Sequence, residues 1–221
     1  MEKEELIRNV CIAASAAIPV AGGSISVLLD KYLPNKIEER KQNILENVQT
    51  DLSRIDINVL ENKLDNEEFY TVFLKVLNKS IANHRKEKLM AFRNIIFNDI
   101  ISEEMAFDEV SLYIRLVDEL TVDQIKILNL FYRTYVINDD KYKDIMQRNS
   151  LNNIIRTIWS NIDEDYLMAC TTELIRFQLL IGRTESMKRS SIDGFTLSRF
   201  GERFVKFIFN PVYDDKLYEF K

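Results

Sequence analysis

The sequence is poor in glycine, proline, cysteine and histidine, with five, three, two and one of each in 221 residues. Cys11 and Cys170 are far apart, so neither a disulfide framework nor a thiolate metal site is expected. A zinc site needs about four nitrogen or sulfur ligands, and His84 is the single histidine. Phosphate-binding loops place glycines between a strand and a helix, a context that Gly22-Gly23 lacks. We therefore predict no metal, no cofactor and no enzymatic activity.

Acidic residues outnumber basic ones, 35 to 30, which gives a net charge of -5. The hydrophobic fraction of 46% is that of an ordinary soluble globular chain. Such a chain lacks the general attraction to phosphate that a nucleic-acid coat protein has, so any DNA binding has to be local. The residues Met1 to Glu5 do not form the basic region of a secretory signal. The reducing cytoplasm is therefore the expected location.

The scarcity of glycine and proline favours long helices, and we predict a mainly α fold. Apolar residues at three- and four-residue steps from Ile37 to Ile55 predict an amphipathic helix. A long helical segment is predicted to open at Asp65-Asn66-Glu67-Glu68, a capping-box pattern, and to continue to Ile100. With a further helix around Ile114, these elements predict a helical bundle over residues 1–119.

Residues 120–221 are predicted to form a second, winged-helix-like domain with one β-hairpin. Thr121 and Gln124 fit a capping box at the start of its first helix. Further helices are expected near 141–147 and 163–180, and Gly182 is expected to end the second of these. The hairpin strands are predicted near Phe177 to Ile181 and Gly194 to Leu197, and Ser198 is predicted to cap the final helix.

Two motifs of this second region carry a resemblance. They are Leu120-Thr121…Ile125…Ile127-Leu128 and Leu197-Ser198-Arg199-Phe200-Gly201-Glu202-Arg203-Phe204. They resemble the C-terminal half of bacterial abortive infection alpha family proteins and related uncharacterised helical proteins, and Glu87-Lys88…Phe92-Arg93-Asn94-Ile95-Ile96 adds a weaker match. The resemblance covers roughly residues 120–209. It implies a winged-helix fold and a role in phage defence, and it supplies no catalytic residues.

The stretch from residue 10 to residue 29 carries no charge. A bilayer-crossing helix needs about 20 apolar residues, and alanines at four-residue spacing here would allow close helix packing in a membrane. The glycines, serines and proline make the stretch weakly hydrophobic and suited to a turn. Two interpretations stay open: a tightly packed soluble hairpin, and a hairpin that is buried at rest and enters a membrane on a signal. The residues concerned are Ala13, Ala17, Pro19, Val20, Ala21, Gly22 and Gly23.

Basic residues gather around the predicted hairpin tip, at Arg176, Arg183, Lys188 and Arg189. In DNA-binding winged helices the tip and the preceding helix approach the two grooves, and lysine or arginine contacts phosphate. Here the preceding helix begins with Asp163-Glu164-Asp165, which the DNA backbone would repel. The tip is therefore interpreted as solvated, as a protein contact, or as a local DNA contact.

The preferred hypothesis is a non-enzymatic bacterial defence or stress protein, similar to abortive infection proteins. It would act through protein contacts and, conditionally, through membrane association. We expect a protein partner or a homo-oligomer, and the sequence shows no sign of a small-molecule substrate. The alternatives are a winged-helix DNA-binding transcriptional regulator and a soluble protein-interaction or adaptor module. The expected location is the cytoplasm, with peripheral or conditional association with the inner membrane.

Overall fold

The computed structural model describes residues 3–17, 34–102, 105–137, 162–182 and 195–209. These residues are mainly helical, with one pair of antiparallel strands near the C-terminus. The predicted mainly α class with a single β-strand pair is therefore confirmed. Contacts between Cα atoms divide the chain into two compact units, Met1–Glu119 and Leu120–Lys221. The helix predicted at 141–147 lies outside the described residues.

Six helices make up the described part of the first unit. The central one, α4, packs against α2, α3, α5 and α6, and α1 lies against α2 and α4. The buried residues of α4 recur at three- and four-residue steps, which is the pattern of a helix with one face in a core. The helices are α1 (Lys3–Ala17), α2 (Pro34–Leu52), α3 (Ile57–Leu64), α4 (Glu67–Ala82), α5 (Lys86–Ile101) and α6 (Phe107–Glu119).

The predicted single segment from Asp65 to Ile100 is wrong, because it is broken into α4 and α5. Asn83 ends α4 in an extended conformation, and its side chain accepts a hydrogen bond from the backbone N–H of Arg85 at 3.0 Å. An asparagine that bonds the backbone two residues later favours a turn over a continued helix. His84 lies exposed in this connection. The break lets α5 fold back against α4.

The capping residues of α3 and α4 also differ from the prediction. Asp56 caps α3, a helix that the sequence pattern did not predict, by accepting from Asn58 N–H at 2.8 Å. Asn66 caps α4 by accepting from the N–H groups of Glu68 and Phe69 at 2.8 and 3.2 Å. A short side-chain oxygen at this position satisfies amides that have no partner within the helix.

A buried carboxylate on α5 is only partly satisfied. Asp99 Oδ1 accepts from Lys63 Nζ at 3.2 Å, and the Asp99 side chain is 5% exposed. Its Oδ2 atom has no hydrogen-bond partner among the residues that the structure describes. Burial raises the pKa of the Asp99 carboxyl above its usual value, and nearby Glu68 adds to the rise while Lys63 opposes it.

This raised pKa gives a testable pH dependence. A folded-state pKa above the unfolded value means that unfolding releases a proton in the window between them, so the free energy of unfolding falls as pH rises through it. We expect Asp99→Asn to gain stability relative to the unaltered protein as the pH is raised from about 4. Urea unfolding at a series of pH values measures this, with the exposed Asp108→Asn as control. Parallel pH curves for the Asp99→Asn variant and the unaltered protein would contradict it.

The described part of the second unit contains α7 to α9, a π-helix and two strands. Thr121 Oγ1 accepts from Gln124 N–H at 3.2 Å, and Gln124 Oε1 accepts from Thr121 N–H at 2.7 Å, so the predicted capping box is confirmed. The strands pair antiparallel, with Leu180 opposite Leu197 and Gly182 opposite Phe195. The elements are α7 (Val122–Phe131), the π-helix Tyr132–Ile137, α8 (Glu164–Arg176), β1 (Leu180–Gly182), β2 (Phe195–Leu197) and α9 (Arg199–Ile208).

Helix α8 ends at Arg176, and Gly182 is not its terminator as predicted. Leu179 N–H donates to Leu174 O at 2.9 Å and Gln178 N–H donates to Ile175 O at 2.8 Å, the two bonds of a Schellman motif. Gln178 supplies the left-handed residue, with φ 58. Leu174 and Leu179 are both fully buried, which is the hydrophobic contact that accompanies this motif. Gly182 belongs to β1 instead.

Glutamine at a left-handed position makes a stabilising substitution predictable. A non-glycine residue with left-handed backbone angles costs about 1–2 kcal/mol of stability. Replacing it by glycine removes this cost, but the greater conformational entropy of glycine in the unfolded chain cancels part of the gain. We expect Gln178→Gly to raise the free energy of unfolding of the second unit by about 0.5–1 kcal/mol. Urea denaturation measures the change. A loss of stability would mean that contacts of the Gln178 side chain outweigh the backbone strain.

The start of α9 is held against the turn that ends α8. Ser198 Oγ accepts from Gly201 N–H at 2.7 Å, which confirms Ser198 as the predicted cap. Ser198 Oγ also donates to Gln178 O, and Ser198 N–H donates to Leu179 O at 3.0 Å. A Cβ atom on Gly201 would lie 2.0 Å from Leu179 O. Position 201 therefore has no room for a side chain.

Candidate functional site

Helix α8 presents the candidate site of the second unit. Asp163 caps it by accepting from Tyr166 N–H at 2.9 Å, and Glu164 and Asp165 fill its first turn, where carboxylates favour the helix N-terminus. Its inner face buries Leu167, Cys170, Thr171 and Leu174. The opposite face is exposed, and that face carries the features described below.

Polar contacts fix α8 against α7. Gln124, 1% exposed, donates from Nε2 to Glu173 Oε2 at 2.9 Å. Tyr166 donates its hydroxyl to Asp123 Oδ2 at 2.9 Å. Burial and the bond to Asp123 raise the pKa of the Tyr166 phenol well above its usual value, so it remains a neutral donor. The position of α8 on α7 is therefore set by directional bonds at two places along one side.

The Cys170 thiol lies beneath this network. It is buried, and burial raises the pKa of the thiol, so the nucleophilic thiolate is disfavoured at neutral pH. Cys11 in the first unit is only half-buried, and burial raises its pKa as well. The nearby carboxylates Asp123 and Glu173 raise the pKa of the Cys170 thiol further, the opposite of the electropositive surroundings that a reactive thiol needs.

An apolar stripe runs along the exposed side of α8. We call Met168, Thr172 and Ile175 the α8 stripe; all three are exposed, Met168 to 47% and Ile175 to 37%. Their spacing of four and then three residues places them on one side of the helix. Large apolar side chains exposed together on a helix are a feature of contact surfaces. Ile181 on β1 is also exposed, to 49%.

Charge around the stripe is mostly negative. Glu164, Asp165 and Glu173 are exposed on α8, against one exposed cation, Arg176. The Arg176 guanidinium lies 3.4 Å from Glu173 Oε1 and 5.0 Å from the Phe177 ring centroid. Of the predicted nucleic-acid contacts, Arg176 thus lies at the end of α8 with an acidic partner. The other three, Arg183, Lys188 and Arg189, lie outside the described residues.

The uncharged segment is described only over its first part. Residues 10–17 form the second half of α1, an amphipathic helix that begins at Lys3 and buries Leu6 and Ile7. Ala13 is exposed on it and Ala17 is its last residue. Within the described ranges, no helix combines the length and the apolar character that crossing a membrane requires. The remaining residues of the segment, Pro19, Val20, Ala21, Gly22 and Gly23, lie outside the described part.

A groove of about 840 Å³ lies between α1 and α2. Its lining mixes acids, one arginine, neutral polar groups and a single isoleucine. No set of three or more histidine, cysteine or acidic residues in the described part of the chain could hold a metal ion. The groove thus offers mixed surface polarity and no recognisable catalytic pair. It is lined by Glu4, Glu5, Ile7, Arg8, Glu46, Gln49, Thr50 and Ser53.

Comparison with known proteins gives no family for the chain. No family model matches it, and neither a curated protein nor a solved structure is significantly similar.

Sequence reasoning placed α8 approximately but overlooked the α8 stripe. The signal was available: Leu167, Cys170 and Leu174 mark one side of the helix, and Met168 and Ile175 fall about 120° away from them. A helix with apolar residues on two sides needs a second partner for the side that its own core leaves exposed. The interpretations offered for this region considered the basic residues of the hairpin tip and the acids at the start of α8, but not the apolar residues of its exposed side.

Proposed function

We propose that this protein is non-enzymatic and acts through protein contacts made by the exposed side of α8. The observation that carries the proposal is the α8 stripe, with Met168 and Ile175 exposed on a helix that is otherwise firmly attached to its own unit. A rigid, partly apolar helix face is a suitable contact surface, since little ordering is needed on binding. The acids beside it, Glu164, Asp165 and Glu173, disfavour approach to a nucleic-acid backbone.

The setting we propose for these contacts is bacterial cell defence. Support comes from the resemblance to abortive infection alpha family proteins, which includes Ser198 and Gly201. Those two residues join α9 to the end of α8, so the matching motif helps to hold the helix that carries the stripe. A winged-helix topology for the whole second unit is part of the same proposal.

A phage challenge tests this function. Bacteria that express the protein are infected with a panel of phages, and plaque formation and cell survival are compared with those of cells lacking it. We expect the protein to reduce plaque formation, and Met168→Glu with Ile175→Glu to remove the reduction. A control is Tyr70→Glu, which places a single added carboxylate on a comparably exposed residue, 42%, of the first unit. Circular dichroism melts establish that each variant is folded.

Two results would count against the proposal. One is a protein that leaves every phage unaffected, and the other is a doubly substituted variant that protects as well as the unaltered protein. Fluorescence anisotropy with duplex DNA at low salt addresses the regulator alternative, because phosphate contacts strengthen as salt falls. Salt-sensitive binding that is lost in Arg176→Ala would favour that alternative instead.

Conditional membrane association belongs to the same proposal. Its support is the uncharged stretch at residues 10–29 together with Ile12, which is 59% exposed on α1. An exposed apolar residue next to a chargeless segment suits contact with a lipid surface. Fractionation of cells with and without phage infection measures whether the protein moves to the membrane pool.

A further inference from the structure

We propose that the partner of the α8 stripe is a second copy of this chain, bound with the two α8 helices antiparallel. The inference rests on the proposed function, since it names the partner of the same surface. It assigns Met168 of one copy to a place opposite Ile175 of the other, with Thr172 near the two-fold axis. Such a surface is self-complementary, which is what a two-fold symmetric contact requires.

The spacing of the stripe fits this arrangement. Met168 and Ile175 are seven residues apart, so they lie about 20° from each other around the helix and about 10.5 Å apart along it. In an antiparallel pair of α8 helices centred midway between these two residues, Met168 of each copy faces Ile175 of the other. Thr172 at the centre is small, which lets the helices approach closely. Both large apolar residues are then covered at once.

The charges at the two ends of α8 fit it independently. Asp165 lies near the N-terminal end and Arg176 at the C-terminal end, eleven residues apart and within about 20° around the helix. They therefore lie on the same flank of the stripe. In the antiparallel pair, Arg176 of each copy lies beside Asp165 of the other, offset by about 3 Å along the axis. In a parallel pair, Arg176 of one copy and Asp165 of the other would lie at opposite ends of the contact, so this pairing would not form.

The existing pairing of Arg176 does not prevent this contact. Its side chain is 68% exposed, and its partner Glu173 is on the same helix, 50% exposed. An exposed ion pair of this kind contributes little to stability, so the guanidinium can turn to a carboxylate on another copy at small cost. The stripe is short, however, and small interfaces are weak. We therefore expect a dissociation constant on the order of 100 µM.

Sedimentation equilibrium on the full chain, from about 10 µM to 1 mM, is the first measurement. We expect a monomer–dimer equilibrium for the unaltered protein. Met168→Glu should weaken dimerisation at least about tenfold, since two carboxylates would be buried near the symmetry axis. Tyr70→Glu should leave the equilibrium unchanged. A protein that is monomeric throughout, or a Met168→Glu variant that dimerises as the unaltered protein does, would overturn the inference.

A charge exchange tests the antiparallel geometry. Asp165→Lys and Arg176→Glu, each made alone, should weaken dimerisation, because each places like charges together. The variant with both substitutions should regain dimerisation, since the opposite charges are restored in exchanged positions. Thermal melts verify folding in each case. If dimerisation of the double variant is weakened by the sum of the two single effects, the two residues do not meet and the antiparallel arrangement is wrong.

The two levels of the proposal fail in different ways. If the protein is monomeric but its phage protection is still lost in the Met168→Glu and Ile175→Glu variant, the proposed function stands and the stripe binds some other partner. If the protein dimerises but protects no cell from any phage, the self-association stands and the defence role is wrong.

Discussion

Replacing Gly201 by alanine is expected to destabilise the second unit by about 3 kcal/mol or more, the upper end of the cost of overpacking. The added Cβ atom would lie 2.0 Å from Leu179 O and 2.8 Å from Leu179 C. These are backbone atoms, so no side-chain rotation relieves the clash. Either α9 or the turn at the end of α8 has to move, and the bonds of Ser198 to that turn would be lost with it.

Gly182→Ala is a matched control for this prediction. A Cβ atom there would meet the Phe195 ring at 3.5 Å, an ordinary contact, so stability should stay the same or rise slightly. Hydrogen exchange followed by mass spectrometry separates the units: peptides of α9 should lose protection in Gly201→Ala, while peptides of α4 keep it. Equal protection of α9 in both variants would show that the backbone accommodates the added carbon.

Replacing Arg93 by methionine is expected to cost the first unit about 3–5 kcal/mol, because it leaves a buried carboxylate without its partner. Asp51, whose side chain is 8% exposed, accepts two hydrogen bonds from Arg93, one from Nε to Oδ2 and one from Nη2 to Oδ1 at 2.6 Å. This pair joins α2 to α5. Arg54, 3.8 Å from Asp51 and half exposed, can offset part of the loss, which favours the lower end of the range.

The double variant Asp51→Leu with Arg93→Met is the informative comparison. Removing both charges avoids the cost of an unpaired carboxylate, so this variant should be more stable than Arg93→Met alone. Urea unfolding of the unaltered protein, Arg93→Met and the double variant compares their stabilities, and Asp51→Leu as a fourth protein completes the cycle that gives the coupling energy. If the double variant is the least stable of the first three, the attraction between Asp51 and Arg93 contributes more free energy than the burial of their charges costs.

The features that the sequence predicted best depend on neighbouring residues. Thr121 with Gln124, and Ser198 before Gly201, are capping patterns in which three or four residues contain the whole physical reason. The helices over Phe69 and Ile114 follow from the spacing of apolar residues, which any buried helix face imposes. These elements were predicted correctly in type, although the helix over Phe69 ends at Ala82 and does not continue to Ile100.

The errors occurred where local patterns compete. Gly182 is a typical terminator, yet α8 ends at Arg176, where Gln178 takes the left-handed conformation of a Schellman turn and Leu174 and Leu179 are both buried. Asn83 interrupts a stretch whose apolar spacing continues on both sides. The partners Asp51 and Arg93 are 42 positions apart, so their contact appears only once α2 and α5 are packed.

The candidate site was only partly accessible to sequence reasoning. Arg176 was noticed because of its charge, but its partner Glu173 and the exposure of Met168 and Ile175 require the position of α8 on α7. That position depends on Gln124, a residue whose side chain both caps its own helix and bonds to Glu173. The sequence pattern around Gln124 indicates its capping role but not its bond to Glu173 on another helix.

The way in which Ser198 and Gly201 close onto Gln178 and Leu179 has a consequence for synthesis of the chain. The end of α8 is completed by atoms that are translated about 20 residues later, since Ser198 bonds to both of those carbonyls. During translation, the bonds from Ser198 to this turn therefore form only after Ser198 has left the ribosome. Until then, the turn at the end of α8 depends on the bonds of its own Schellman motif.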